Sequence, residues 1–170
     1  MSTSSAVVLG RRRTAMSDMP ALPEIEIVDP CIRQLYDYWL SKRGERRYPA
    51  RAKIDPLDFR YALGDVTLVE VGADRRSFTY RLHGSNLSAR DGYDLSGKTL
   101  EAIPEAEYRE RVRRGFTIAV DTGAPRHGIR DIVVDGRRRC FEYLILPLAS
   151  DGNDIDMLLS VQRYIKRPAS

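Results

Sequence analysis

Apolar positions along the chain fall into distinct periods, and the periods change at turn residues. Residues 1–22 are rich in Ser and Ala, carry Arg11-Arg12-Arg13 and show no repeat, so a disordered tail is expected there, followed by one folded unit over 23–170. Asp29-Pro30 is a helix start, because Asp caps the first amides and Pro suits the first turn. Ile32, Leu35, Tyr36, Trp39 and Leu40 then recur at helical spacing, and Gly44 ends the pattern. A second Asp-Pro pair, Asp55-Pro56, followed by Leu57, Tyr61 and Leu63, predicts a short helix near 56–63.

The period then drops to two. Val66–Val71 is β-branched and reads as a strand. Ser77–His83 alternates, with Phe78, Tyr80 and Leu82 on one face and Thr79, Arg81 and His83 on the other. Residues 85–104 are polar with glycines at 92 and 97, so short helical turns are expected. A long helix follows over 105–121, with Tyr108, Val112 and Phe116 on one side and Gly123 as its stop. Glu105–Arg109, Glu107–Arg111 and Glu110–Arg114 are spaced for i,i+4 pairing on it. Three strands close the chain, at 128–134, 138–148 and 155–164, with Asp135-Gly136 and Ser150-Asp-Gly-Asn153 as turns.

Composition narrows the class. A chain of 170 residues, 42% hydrophobic and 31% charged, has the size and balance of one globular domain, with little room for a separate output domain. The longest apolar stretch, Tyr143–Ala149, is far short of the ~18 residues a membrane span needs. No apolar run follows the Arg triplet, so no secretory signal is expected. Cys31 and Cys140 form no CxxC motif, and the simple reading is a reducing cytoplasm. Net charge is +4 and Arg outnumbers Lys 24 to 4, but 24 acidic residues are interspersed among the basic ones, as on a solvated surface.

Two strands, a helical stretch and three strands fit an α+β fold: a five-stranded antiparallel sheet with helices on one face and an amphipathic helix at the N-terminus. The residues that carry a more particular likeness are Trp39–Arg51 (WLSKRGERRYPAR), Ile54-Asp-Pro-Leu57, Phe78-Thr-Tyr-Arg-Leu-His-Gly84, Asp91-Gly-Tyr-Asp-Leu-Ser-Gly-Lys98, and Tyr143-Leu-Ile-Leu-Pro-Leu148 with Asp156-Met-Leu-Leu159. In this order the set resembles a bacterial family of PAS-like domains (PAS_5) over roughly 30–165. The resemblance implies a PAS fold and a role in signalling: a sensory module acting on a protein partner, with a small ligand in the PAS cavity tuning that contact. It implies no particular ligand.

A cavity of that kind lies between the inner face of the sheet and the helices. The residues expected to line it are Phe78, Tyr80 and Arg81 on the hairpin, Tyr93 on the short helices, Tyr108, Val112 and Phe116 on the long helix, and Tyr143 on the closing hairpin. Each taken singly also reads as plain core. Arg81, if buried, needs a carboxylate or an anionic ligand, with the Asp55 region as its favoured internal partner and Glu70 as the other. The cofactor is unknown. Haem is disfavoured because the long helix has no His, and covalent flavin because the Asn86–Arg90 segment has no Cys. His83 and His127 have no metal-ligand partners at the right spacing, and no nucleotide or hydrolase motif occurs. The chain is therefore not expected to be an enzyme.

Trp39 admits two placements. It covers the outer sheet face within one chain, or it faces a second copy, giving a homodimer through the N-terminal helix. Two other function classes compete with the sensory module. A nucleic-acid regulator, the less favoured partner class, requires one basic patch joining Arg11–Arg13, Arg43–Arg51 and Arg137–Arg139. A small isomerase or cyclase on a cone-shaped fold, ranked last, requires an Asp base and a Tyr in a pocket.

Overall fold

The computed structural model describes residues 21–134 and 136–166. Residues 1–20, most of the expected tail, lie outside the described residues. Helix α1 spans Pro30–Arg43, capped by Asp29, whose side chain accepts from the Cys31 and Ile32 amides. Three single 3₁₀ turns follow, at Arg51–Lys53, Pro56–Phe59 and Leu63–Asp65. The helix expected over 56–63 is thus two separate turns: Asp55 caps the first, Phe59 is buried at its end, and Tyr61 is left exposed.

Strands β1 (Val66–Val71) and β2 (Phe78–His83) form a hairpin. Helix α2 (Ser85–Asp91), a 3₁₀ turn (Leu100–Ala102) and helix α3 (Ala106–Thr122) come next. Strands β3 (Arg126–Val134), β4 (Arg137–Leu148) and β5 (Met157–Tyr164) complete one antiparallel sheet of order β2-β1-β5-β4-β3. Gly136 in the β3–β4 turn has φ +70°, in the region glycine adopts without steric cost. Asp135 lies outside the described residues.

The sheet is covered on both faces. Register puts Phe141, Tyr143, Ile145, Val69 and Val71 on the inner face, toward α3, and Leu144, Leu146, Leu148, Leu159 and Val161 on the outer face. Ile32, Leu35 and Trp39 of α1 are fully buried, with the outer-face leucines. The Trp39 indole N–H donates to the Pro147 carbonyl at 2.9 Å. Trp39 therefore seals its own sheet, and the expected homodimer contact through the Trp39 face is corrected: that ring has no exposed surface to offer a second copy.

One irregularity changes the reading of β2. Leu68 pairs with Leu82, but Val69 pairs with Tyr80, so Arg81 is an extra, bulged residue. Past the bulge the alternation flips. His83, expected outside, is buried on the inner face with its ring 5.7 Å from Tyr80, while Leu82 is only partly buried.

The helical ion pairs also differ from the spacing rule. Glu107–Arg111 forms at 3.2 Å. Arg113 instead binds Glu110 and Glu101, and Arg109 donates to the Ile103 carbonyl at 2.7 Å, because the Leu100–Ala102 turn brings new acceptors beside α3. Glu105 accepts from the Tyr93 hydroxyl.

The basic clusters are separated. The Arg43–Arg51 connector is tied to the end of β4, where the Ala149 amide donates to the Pro49 carbonyl, whereas Arg137–Arg139 begin β4. Eleven strand residues separate these ends, roughly 35 Å, so no single patch joins the two; Arg11–Arg13 lie outside the described residues.

Candidate functional site

The inner face nearest β2 is filled. Phe78 and Tyr80 pack on Phe116 of α3, ring centroids 5.4 Å and 6.3 Å apart, and all three are buried. These three expected site residues are core. Gly84 lets this corner close: a Cβ there would stand 2.3 Å from the Gly64 carbonyl oxygen. Val112 and Tyr143 border a residual void of about 20 Å³ beside Gln162, room for roughly one water.

Open space lies further along the sheet. A cleft of about 410 Å³ runs between α2, the start of α3 and the β3–β4 pair. Of the residues expected around a cavity, Tyr93 and Tyr108 line this cleft; Arg90, Asp91, Arg111 and Phe141, which sequence reading did not single out, line it as well. Glu105, Ile132 and Val133 complete its rim.

Arg90 organises the cleft. Its Nε and Nη2 grip both carboxylate oxygens of Asp91 at 2.7 and 3.1 Å. Nη1 donates to the Gln162 side chain at 3.1 Å, and Nη2 also reaches the Tyr108 hydroxyl at 3.3 Å. The guanidinium sits 6.0 Å over the Phe141 ring. A planar fork with five N–H donors can satisfy these partners at once, which a lysine cannot. The Arg90 and Asp91 side chains are only 16% and 13% exposed, so each charge depends on the other. Burial is the largest influence on Arg90 and opposes its charge, but the hydrogen bond to Asp91 and the charges of Asp91 and the nearby phenols together outweigh it, so the pKa is raised.

The phenols here stay protonated at neutral pH. Burial raises Tyr108, with Arg90 opposing. Burial, then the bond to Glu105, raises Tyr93. Arg111 differs from Arg90: among the described residues its bond is to Glu107, a carboxylate 92% exposed. Such a surface pair is weak, so the Arg111 donors can exchange that partner for a ligand.

Arg81 is corrected. On its bulge it is exposed, and its Nε donates to Glu70 at 2.6 Å, not to the Asp55 region. It borders neither the cleft nor the void beside Gln162. Arg90 had a legible signal in hindsight: it follows the buried Leu87 by three residues on α2, which puts both on one helix face. Phe141 and Arg111 had none, because which part of an inner face stays unfilled is decided by packing.

The sheet order and the helices packed on it define a PAS-type α+β fold. A family model for the PAS domain (PAS_5) matches residues 28–161, and the chain belongs to that family. Among solved structures it is similar to the PAS domain of Bordetella pertussis BvgS, at 17% identity and TM-score 0.48, covering 68% of this chain and 90% of that one. It is also similar to the Vibrio cholerae VqmA dimer, at 12% identity and TM-score 0.50, covering 66% and 52%. A sensory box sensor histidine kinase of Vibrio cholerae matches at 14% identity and TM-score 0.44, covering 65% and 90%. At these identities the likeness is one of fold. Among curated proteins none matches. The cone-shaped isomerase or cyclase reading falls with its premise, since the fold is that of a PAS domain. Among the described residues no helix is long and apolar enough to cross a membrane.

Proposed function

We propose that this chain is a sensory and signalling PAS module whose input is a small molecule in the Arg90–Tyr108 cleft and whose output is contact with a protein partner. The observation that carries the reading is the cleft itself. Its volume of about 410 Å³ lies in the range of small-molecule sites, and it combines aromatic walls with a few convergent polar groups. The chemistry favours a flat, largely apolar ligand with one anionic group. Phe141, Tyr93 and Ile132 offer apolar surface, Arg90 is neutralised by Asp91, and Arg111 has donors to spare. The partner reading draws support from β3, an edge strand on which Ile129 and Val133 are 40% and 71% exposed.

Native mass spectrometry of freshly purified protein, set against its denatured mass, tests the input. Extra mass that vanishes on denaturation, and is lost in Arg111→Ala, is the expected result. A clean mass, together with no thermal shift from benzoate, indole-3-acetate or a similar aromatic acid, refutes the ligand reading and leaves a protein-docking module.

A further inference from the structure

Of the two edges of the sheet, one is closed. The Tyr80 N–H of β2 donates to the Lys98 carbonyl at 2.9 Å, and the Gly97 N–H donates to the Tyr80 carbonyl at 2.8 Å. The other edge, β3, runs for nine residues and pairs only with β4 among the described residues. An edge strand presents a row of unpaired N–H and C=O groups, and proteins commonly blunt it with proline, charge or a covering segment. No proline interrupts Arg126–Val134, and Ile129 and Val133 lie exposed along it.

The first half of that edge is the floor of a groove of about 620 Å³. Ile118 and Thr122 of α3 form one wall, on the inner side of the sheet. Pro23 and Ile25, in the segment before α1, form the other, on the outer side. That second wall is fixed in place. The Ile25 carbonyl accepts from Arg33 at 3.3 Å, and the Val28 and Asp29 amides donate to the buried Glu142 carboxylate at 2.8 and 2.6 Å. The opening between the walls therefore continues the plane of the sheet, where a sixth strand would run.

The two sides of the groove suit different side chains. Arg126 and Arg130 stand on the inner face, opposite Ile145 and Phe141. The Arg126 Nε is buried without a hydrogen-bond partner, a donor that costs free energy until an acceptor reaches it. On the outer side Ile129 and Ile25 offer apolar surface, and Glu24 and Glu26 beside them repel a carboxylate. Successive residues of a strand point to opposite faces, so a segment that satisfies both sides alternates acidic with apolar residues. We propose that β3 docks such a segment of a partner protein, extended and hydrogen-bonded to the free edge, with its carboxylates toward Arg126 and Arg130 and its apolar side chains on Ile129. This docking rests on the partner reading above and names the chemistry of that partner. A second copy centred on the strand fits less well, because it sets Arg130 against Arg130.

The probe is a blocked peptide of nine residues, the length of β3, alternating glutamate and valine. Its control has the same composition with the two residue types in separate blocks. Fluorescence anisotropy should show saturable binding of the alternating peptide, and hydrogen exchange should slow at the 126–130 amides with β1 unchanged. Arg126→Gln and Ile129→Thr should each weaken binding about fivefold, the upper worth of one cross-strand pair, and the control should bind about tenfold more weakly than the alternating peptide. If Arg126→Gln does not fold, Ile129→Thr, at an exposed edge position, decides alone. No binding, binding that leaves 126–130 unprotected, binding indifferent to Ile129→Thr, or equal binding of the two peptides overturns the proposal. Protection of 126–130 that grows with protein concentration in the absence of peptide also overturns it, and gives the edge to a second copy. Neither variant alters a cleft residue, so failure here removes the β3 edge as the contact and leaves the ligand reading to be decided by the mass measurement alone.

Discussion

His83 shows how one buried side chain takes its protonation state from its neighbours. The Leu95 amide donates to its Nδ1 at 3.2 Å, which requires that nitrogen to be unprotonated. Burial lowers its pKa, with Asp91 and Asp94 pulling the other way. A histidine held neutral in the fold takes up a proton more readily when unfolded, so its contribution is present above the ordinary histidine value of about 6.5 and is lost as pH falls below it. The thermal midpoint of the wild type should therefore drop more between pH 7.5 and 5.0 than that of His83→Asn, which keeps an acceptor but does not titrate. Parallel curves would remove His83 from the account. The two arginines of the hairpin and α2 make the opposite pair of cases. Arg81→Ala breaks an exposed ion pair and should change stability by no more than about 0.5 kcal/mol, with cleft binding unaltered. Arg90→Ala leaves Asp91 poorly solvated and without its partner, at a cost of about 3 kcal/mol in a urea titration. Equal effects from the two would contradict the placement of the cleft.

At the scale of elements, the strands and α3 were legible because their periods are long and their turns are marked. β1 and α1 begin where sequence reading put them, and the closing strands shift by one or two residues. The bulge in β2 was not legible. It arises where β1 and β2 slip register by one residue, and nothing local in Thr79–Leu82 announces it. Its consequence is large, since it turns His83 inward and Leu82 outward. The docking of α1 is the other element-scale result. The Glu142 carboxylate needs both oxygens for the Val28 and Asp29 amides, so Glu142→Gln should destabilise the protein by about 1–3 kcal/mol by presenting an NH₂ group to a buried N–H. Chemical denaturation measures this directly, and a neutral result would mean that the segment before α1 is held by its apolar residues alone.

For the whole molecule, the decisive feature is that both faces of the sheet are covered by one chain. Trp39 closes the outer face, so Trp39→Ala should cost about 3–5 kcal/mol as a core truncation. Analytical ultracentrifugation of Trp39→Phe beside the wild type should show the same assembly state. A change of assembly in that conservative variant would revive the face as a contact between copies. The charge of the chain is likewise a whole-molecule matter. The Arg43–Arg51 and Arg137–Arg139 clusters lie at opposite ends of β4, and the chain's 28 basic residues are nearly balanced by 24 acidic ones, so a titration with random DNA should show weak binding without a single steep salt dependence.

The sequence by itself determined the class of fold, the order of the elements and the family, because these depend on period, turn chemistry and an ordered set of short motifs that survive without knowledge of contacts. It also singled out Tyr93 and Tyr108, which stand on the wall of the cleft. Only the tertiary structure decided which inner-face residues are core and which border open space, since Phe78, Tyr80 and Phe116 differ from Phe141 and Tyr108 in their neighbours and not in their chemistry. It alone decided the partner of Arg81, the role of Arg90 and the grip on Asp29, because each depends on which strand positions lie opposite one another and on which groups packing has withdrawn from water.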